Sequence, residues 1–284
     1  MPYRHASHTA YGTLFMRGVH QLLDAKPLIL DDPVALTLLG GDAVRQIKNT
    51  RDHHQALEAR ALRTHVVVRS RFTEDRLAEA VGRGIRQYVI LGAGFDTFAY
   101  RQPAWAKELK IFEVDQPETQ TLKRLRLKRA CISPPSNLSF VSIDFEHESL
   151  GEGLQRNRVS FAEPSFFSWL GVTMYLQENA IDAVLRTIAQ FPKESEVVFT
   201  FAKPPDTLSA HERRIHASLS KIVSGAGEPF VSFFTHAAIE TKLRQAGYRN
   251  IAFLSKEEVE ERYFCQRSSD LHIPRRSTIA CASL

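Results

Sequence analysis

The sequence predicts an α/β doubly wound fold: a Rossmann-like, mostly parallel sheet of seven strands preceded by an N-terminal helical cap. Three observations carry this. Short β-like runs alternate with helical stretches from residue 86 onward, the first of those runs enters a glycine turn, and the first 85 residues have helical spacing and no such run.

Taken in order, residues 5–25 carry Leu14, Phe15, Val19, Leu22 and Leu23 at helical spacing. "DDPVALTLLGG" then reads as a short helix that Asp32 caps, Pro33 starts and Gly40 stops. The stretch from Asp52 to Gly82 has no Pro or Gly inside it and reads as one long helix or two. These segments make residues 1–85 a helical cap and residues 86–284 the core. The core strands are "QYVIL" (87–91), "KIFEV" (110–114), "LSFVSI" (138–143), "SFFSWL" (165–170) and "EVVFTF" (196–201). Two later runs, "NIAFL" (250–254) and "RSTIACA" (276–282), are expected to add a hairpin-like edge, and an insertion falls at about 203–232. No internal repeat or low-complexity linker divides the chain.

With 284 residues and 43% hydrophobic content, the chain can bury one large core. Its 37 basic and 32 acidic residues leave a net charge of +5, too mild and too evenly spread to call for nucleic acid. The charges of "KRLRLKR" (Lys123 to Arg129) wrap around a helix without forming a stripe, so this run is expected to be a solvated helix end. Cys131, Cys265 and Cys281 show no C-x-x-C spacing and are odd in number, which points to reduced thiols in a cytoplasmic protein. The N-terminus has no apolar signal core, and no window reaches the ~20 apolar residues of a membrane span. A soluble protein with a small-molecule partner is expected.

In an open parallel sheet, ligands bind beyond the carboxyl ends of the strands, where strand order reverses. Strand one ends in Gly92-Ala93-Gly94, where glycine permits turns and close approach that a Cβ blocks. Strand two ends in Asp115, followed by Gln116; an acid about 20 residues past the glycines can accept from ribose hydroxyls. Strand three leads to Asp144 and Phe145, suited to an exocyclic amine and a base plane. Strand four leads through Leu170 and Gly171 to Thr173 and Tyr175, an apolar and aromatic wall. Where a dinucleotide site wants a third glycine stands Thr97, with Asp96 beside it to repel an anion. Adenosine without phosphate fits better, and S-adenosylmethionine is such a cofactor. Each residue has a structural alternative, since Asp115 can cap the helix that "DQPETQ" starts and Phe145 can be core.

"HERRIH" (His211 to His216) places its histidines about 140° apart on a helix, unable to share a metal, so no metal site is expected. The pair His53-His54 is expected to be exposed. Neither a G-x-S-x-G elbow nor a phosphate loop occurs. Methyl transfer requires neither, because the donor carbon is already activated and placement dominates. No catalytic residue is assigned; Thr173 and Tyr175 are candidates for positioning the acceptor.

In ordered motifs the chain resembles the leucine carboxyl methyltransferase-like family of class I S-adenosylmethionine-dependent methyltransferases. It is most similar to the bacterial branch that acts on small-molecule and polyketide carboxyls. "SHTAYGTLFMRG", "LDDPVALTLLG", "RTHVVVRSRFTED", "VILGAGFDTFAYR", "FEVDQPETQTLK", "SIDFE", "FFSWLGVTMYL" and "GEPFVSFFT" carry the resemblance across nearly the whole chain. It implies that Arg69 pairs with the methionyl carboxylate. It also implies that Gly92 and Gly94 lie against the cofactor, that Asp115 holds the ribose, and that Asp144 and Phe145 hold the adenine. Arg17 is the nearest candidate for a second cation found in the protein-phosphatase branch. Where that branch has a glutamate after strand four, this chain has Leu170.

The resemblance implies O-methylation of a carboxylate, and the aromatics around Tyr175, Phe230, Phe233 and Phe234 suggest a flat, apolar acceptor or simply core. Leu170 in place of an acid motivates a non-catalytic S-adenosylmethionine-binding protein as the alternative. A protein C-terminal carboxylate is a further acceptor, and Thr97 disfavours an NAD-dependent oxidoreductase.

Overall fold

The alternation of apolar runs and helical stretches folds as a single seven-stranded sheet in the order β3-β2-β1-β4-β5-β7-β6. The structure, a computed structural model, describes residues 7–144, 148–265, 267, 271 and 277–284. The strands are β1 (Gln87–Leu91), β2 (Lys110–Asp115), β3 (Leu138–Ser142), β4 (Ser165–Trp169), β5 (Glu196–Ala202), β6 (Asn250–Phe253) and β7 (Ser277–Ser283). The first five run parallel, with Val89 level with Phe112 and Phe167; β7 lies antiparallel between β5 and β6. The expected hairpin-like edge is therefore present, and its second strand is the one inserted next to β5. Strand order reverses between β1 and β4, which puts a crevice beyond the carboxyl ends of those two strands.

β1, β4 and β5 are buried at every position, as central parallel strands covered on both faces must be. Alternate residues serve opposite faces. Val89 and Leu91 join Phe167, Trp169 and Phe199 under α7 (Leu150–Arg156), α8 (Glu178–Ile188) and α10 (His236–Ala246). Tyr88 and Ile90 join Phe166 and Val198 under α5 (Leu57–Gly82). A third cluster gathers α1 (His8–Leu23), α2 (Pro33–Leu39) and α3 (Gly41–Asn49) with Leu127 of α6 (Pro117–Arg129) around Phe95. α9 (Ala210–Gly225) lies within the expected insertion.

Local signals explain the element ends. The Asp32 carboxylate accepts from the Ala35 amide at 3.1 Å and Pro33 opens α2, while Gly40 follows its last turn with φ +82°. The helical stretch after Asp52 is two helices, α4 (Arg51–His54) and α5, separated at Gln55 and Ala56. Ser209 and Glu212 form a reciprocal capping box that starts α9.

Two expectations are corrected. Lys123, assigned to a solvated helix end, is buried against β2, its Nζ 2.6 Å from Glu113 Oε2. One charge of a wrapping set has to face inward, and here it meets the buried acid. His54, expected to be exposed, is buried beside the Phe15 ring. All three cysteines are free thiols. Among the described residues no helix is long and apolar enough to cross a membrane, and no cluster of His, Cys, Asp or Glu could hold a metal.

Candidate functional site

The crevice opens into a cavity of about 1440 Å³. Its floor is the turns after β1, β2 and β4, one wall is α5, and its roof is the first turn of α1 together with α9 and the segment that follows it.

Gly92 and Gly94 hold φ of +63° and +48°, the left-handed region that glycine enters without strain. Space reinforces the choice at Gly92, where a Cβ would stand 2.4 Å from the Val172 side chain. The turn delivers the Gly94 amide to Asp115 Oδ2, while the Gln116 amide donates to Oδ1 at 2.7 Å. Burial raises the Asp115 pKa above the ordinary carboxylate value, and the two amides act in the opposite direction by stabilising the anion. Ala93 and Gln116 line the same space.

Thr97 faces away from the cavity. Its hydroxyl donates to Asp32 Oδ2 at 2.7 Å and accepts from Arg17 Nη1 at 3.1 Å and Arg101 Nε at 3.2 Å. The residue standing in place of a third glycine therefore ties the glycine turn to the N-terminal helices. Asp96 does line the cavity, and its carboxylate accepts from the Phe98 amide at 2.8 Å.

Arg17, the candidate second cation, is committed elsewhere. Although it borders the cavity, it is ion-paired with buried Asp32 at 3.1 Å, an acid it shares with Arg101, and also donates to the Phe95 carbonyl. Arg69 differs. Its guanidinium is buried, lines the cavity, and has no ion-pair or hydrogen-bond partner among the described residues. Burial pulls its pKa down to about 10, with Tyr175 and Asp96 pulling upward and Arg17 downward. Gly171, at φ +76°, leaves room for it: a Cβ there would lie 2.7 Å from Arg69 Nη1.

Leu170 is half-buried and lines the cavity where an acid was the alternative. Thr173 does not: its hydroxyl donates to the Thr200 carbonyl at 2.7 Å, which sets the turn after β4. Tyr175 reaches the cavity, and burial raises its pKa, with Thr9 acting in the opposite direction. Asp144 stands half-buried two residues past the end of β3, outside the described cavity lining, and Phe145 lies outside the described residues. Of the aromatics, Phe166, Phe167, Trp169 and Phe234 are core and Phe230 lines the cavity.

Sequence reasoning missed the roof. The His8 and Thr9 amides, at the open N-terminus of α1, each donate to Glu228 at 3.0 Å, pinning that helix to the segment after α9. Lys203 and the inner face of α9 were also missed; both line the cavity.

A sequence model of the leucine carboxyl methyltransferase family matches residues 10–189, which span the glycine turn, Arg69, Asp115 and the wall after β4. The chain belongs to that family. As a leucine carboxyl methyltransferase family member it is a methyltransferase that uses S-adenosylmethionine. It is 31% identical over 94% of its length, and 94% of the relative's, to the "Putative S-adenosyl-L-methionine-dependent methyltransferase YktD" of Bacillus subtilis (strain 168). A Mycobacteroides abscessus protein of the same description is 30% identical over 71% of this chain and 66% of its own. A DUF574 family protein from Streptomyces avermitilis superposes with a TM-score of 0.61 over 98% of this chain and 97% of that one, at 15% identity. That last likeness shows a shared fold.

Proposed function

We propose that this cavity binds S-adenosylmethionine across the β1 and β4 turns and directs its methyl group onto a carboxylate oxygen of a small metabolite. One observation carries the reading most: Arg69 is a buried cation that no carboxylate contacts among the described residues, and it shares a cavity with the glycine turn and Asp115. A lone buried charge is expensive unless a ligand supplies its partner. The methionyl carboxylate is that partner.

The residues fit the cofactor. Asp115 accepts from the ribose hydroxyls through lone pairs that its two amide donors leave free. Gly92, Ala93 and Gly94 allow backbone contact, and Gln116 and Leu170 flank the adenosine. Asp144, with Phe145 on the strength of the resemblance, takes the adenine. When bound, the cofactor supplies an electrophilic methyl carbon on a cationic sulfonium. Tyr175 orients the acceptor, and the apolar wall from Leu170 to Met174 excludes water. A carboxylate acceptor is ionised near neutral pH, so no side chain need remove a proton.

Titrating S-adenosylmethionine into folded wild type and Asp115→Ala, followed by mass spectrometry of extract metabolites that gain a labelled methyl group, tests the reading. It predicts cofactor affinity at least ~10-fold weaker in the variant, as loss of a charge-assisted contact requires, and a methyl ester product. Methylation of an alcohol or of a protein C-terminus would overturn the acceptor assignment.

A further inference from the structure

Besides Arg69 and the ion-paired Arg17, a further cation, Lys203, lines the cavity. Lys203 follows the last residue of β5, is half-buried, and makes no ion pair or hydrogen bond among the described residues. The backbone places it beside the acceptor wall. The Phe234 amide donates to the Ala202 carbonyl at 2.8 Å, and the Val231 amide donates to the Met174 carbonyl at 2.8 Å. The strap 230–234 therefore bridges the end of β5 and the turn after β4, with Lys203 at one end of the bridge.

The opposite side is apolar. His216, Leu219, Ile222 and Val223 of α9 face the cavity at helical spacing, and the His216 ring lies flat against Phe230 at 5.7 Å and 28°. Ile222 is 68% exposed and Val231 40%, two large apolar side chains left uncovered where the cavity opens. Isolated exposed apolar residues need no explanation, but here they continue the apolar lining outward.

We propose that this half of the cavity is an acceptor subsite for an amphipathic anion, with an aromatic or aliphatic body between α9 and Phe230 and an anionic group on Lys203. The proposal rests on the methyltransferase reading and deepens it by naming the acceptor class. Lys203 is a point charge that holds one oxygen and leaves another free, unlike a bidentate guanidinium. A body without the anion lacks its anchor, and an anion without the body lacks its apolar contact.

The test uses the full chain saturated with S-adenosylhomocysteine, with 2-naphthoate and its neutral isostere 2-naphthamide as probes, in wild type, Lys203→Met and Lys203→Arg. Wild type is expected to bind naphthoate at least ~10-fold tighter than naphthamide, and Lys203→Met to abolish that preference while binding S-adenosylhomocysteine as wild type does. Lys203→Arg should retain the preference. Equal binding of the two probes by wild type, binding of neither, or an undiminished preference in Lys203→Met overturns the subsite. Failure of wild type to bind S-adenosylhomocysteine would instead strike the cofactor reading, before either probe is added.

Discussion

The Arg69 guanidinium lies against the backbone of Gly171, with Nη1 and Nη2 only 2.7 and 2.8 Å from where a Cβ would stand. Gly171→Ala should push the guanidinium out of place and strain a backbone at φ +76°. A stability loss of ~1–2 kcal/mol is expected from the left-handed backbone alone. Calorimetry of the folded variant should also show S-adenosylhomocysteine bound at least ~10-fold more weakly.

Thr97 makes a contrasting case. Thr97→Val removes one donor to buried Asp32, which keeps Arg17, and should lower stability by ~1.5–3 kcal/mol in urea unfolding, the worth of a hydrogen bond to a charged group. Its hydroxyl faces away from the cavity, so cofactor affinity should change by less than about 3-fold, under 1 kcal/mol.

The Glu113–Lys123 pair is fully buried between β2 and α6. Burial first raises the Glu113 pKa to about 7, with Lys123 opposing. A carboxyl whose folded pKa is raised contributes stability that is fully present below its unfolded value, 4.5, and is lost as pH rises through about 7. Relative to Glu113→Gln, wild type should therefore lose stability between these pH values. Lys123→Met removes the cation that opposes burial, so it should raise the Glu113 pKa further and extend the loss of stability to higher pH, and adding Glu113→Gln should abolish that pH dependence in urea unfolding.

Glu228 caps α1 from 220 residues away in sequence. Glu228→Ala should speed hydrogen exchange at the His8 and Thr9 amides by roughly 10- to 150-fold, since each loses a charge-assisted bond of ~1.5–3 kcal/mol. The melting temperature should barely move, because α1 remains packed through Leu14 and Val19.

Most of the sheet was legible because central parallel strands must be continuous apolar runs, and "YVIL" and "VVFTF" have no other use for that pattern. The Asp32-Pro33 start of α2 and the glycine turn were legible for equally local reasons. Inward-facing polar side chains were not: Lys123 and His54 look solvated until the helix phase against a distant partner is known. The roof was invisible for the same reason, since Glu228, α9 and Lys203 meet the strand ends only through contacts far apart in sequence. Thr97 was noticed for the glycine it replaces, but its bonds to Asp32 and Arg17 were not legible, since those partners lie 65 and 80 residues earlier in the chain.

The most direct test of the central claim is to measure S-adenosylhomocysteine affinity and thermal stability together in Arg69→Met. On the proposal that the ligand's carboxylate is the counter-ion of buried Arg69, the variant should melt no lower than wild type yet bind at least ~10-fold more weakly. Undiminished affinity in the folded variant would contradict the account.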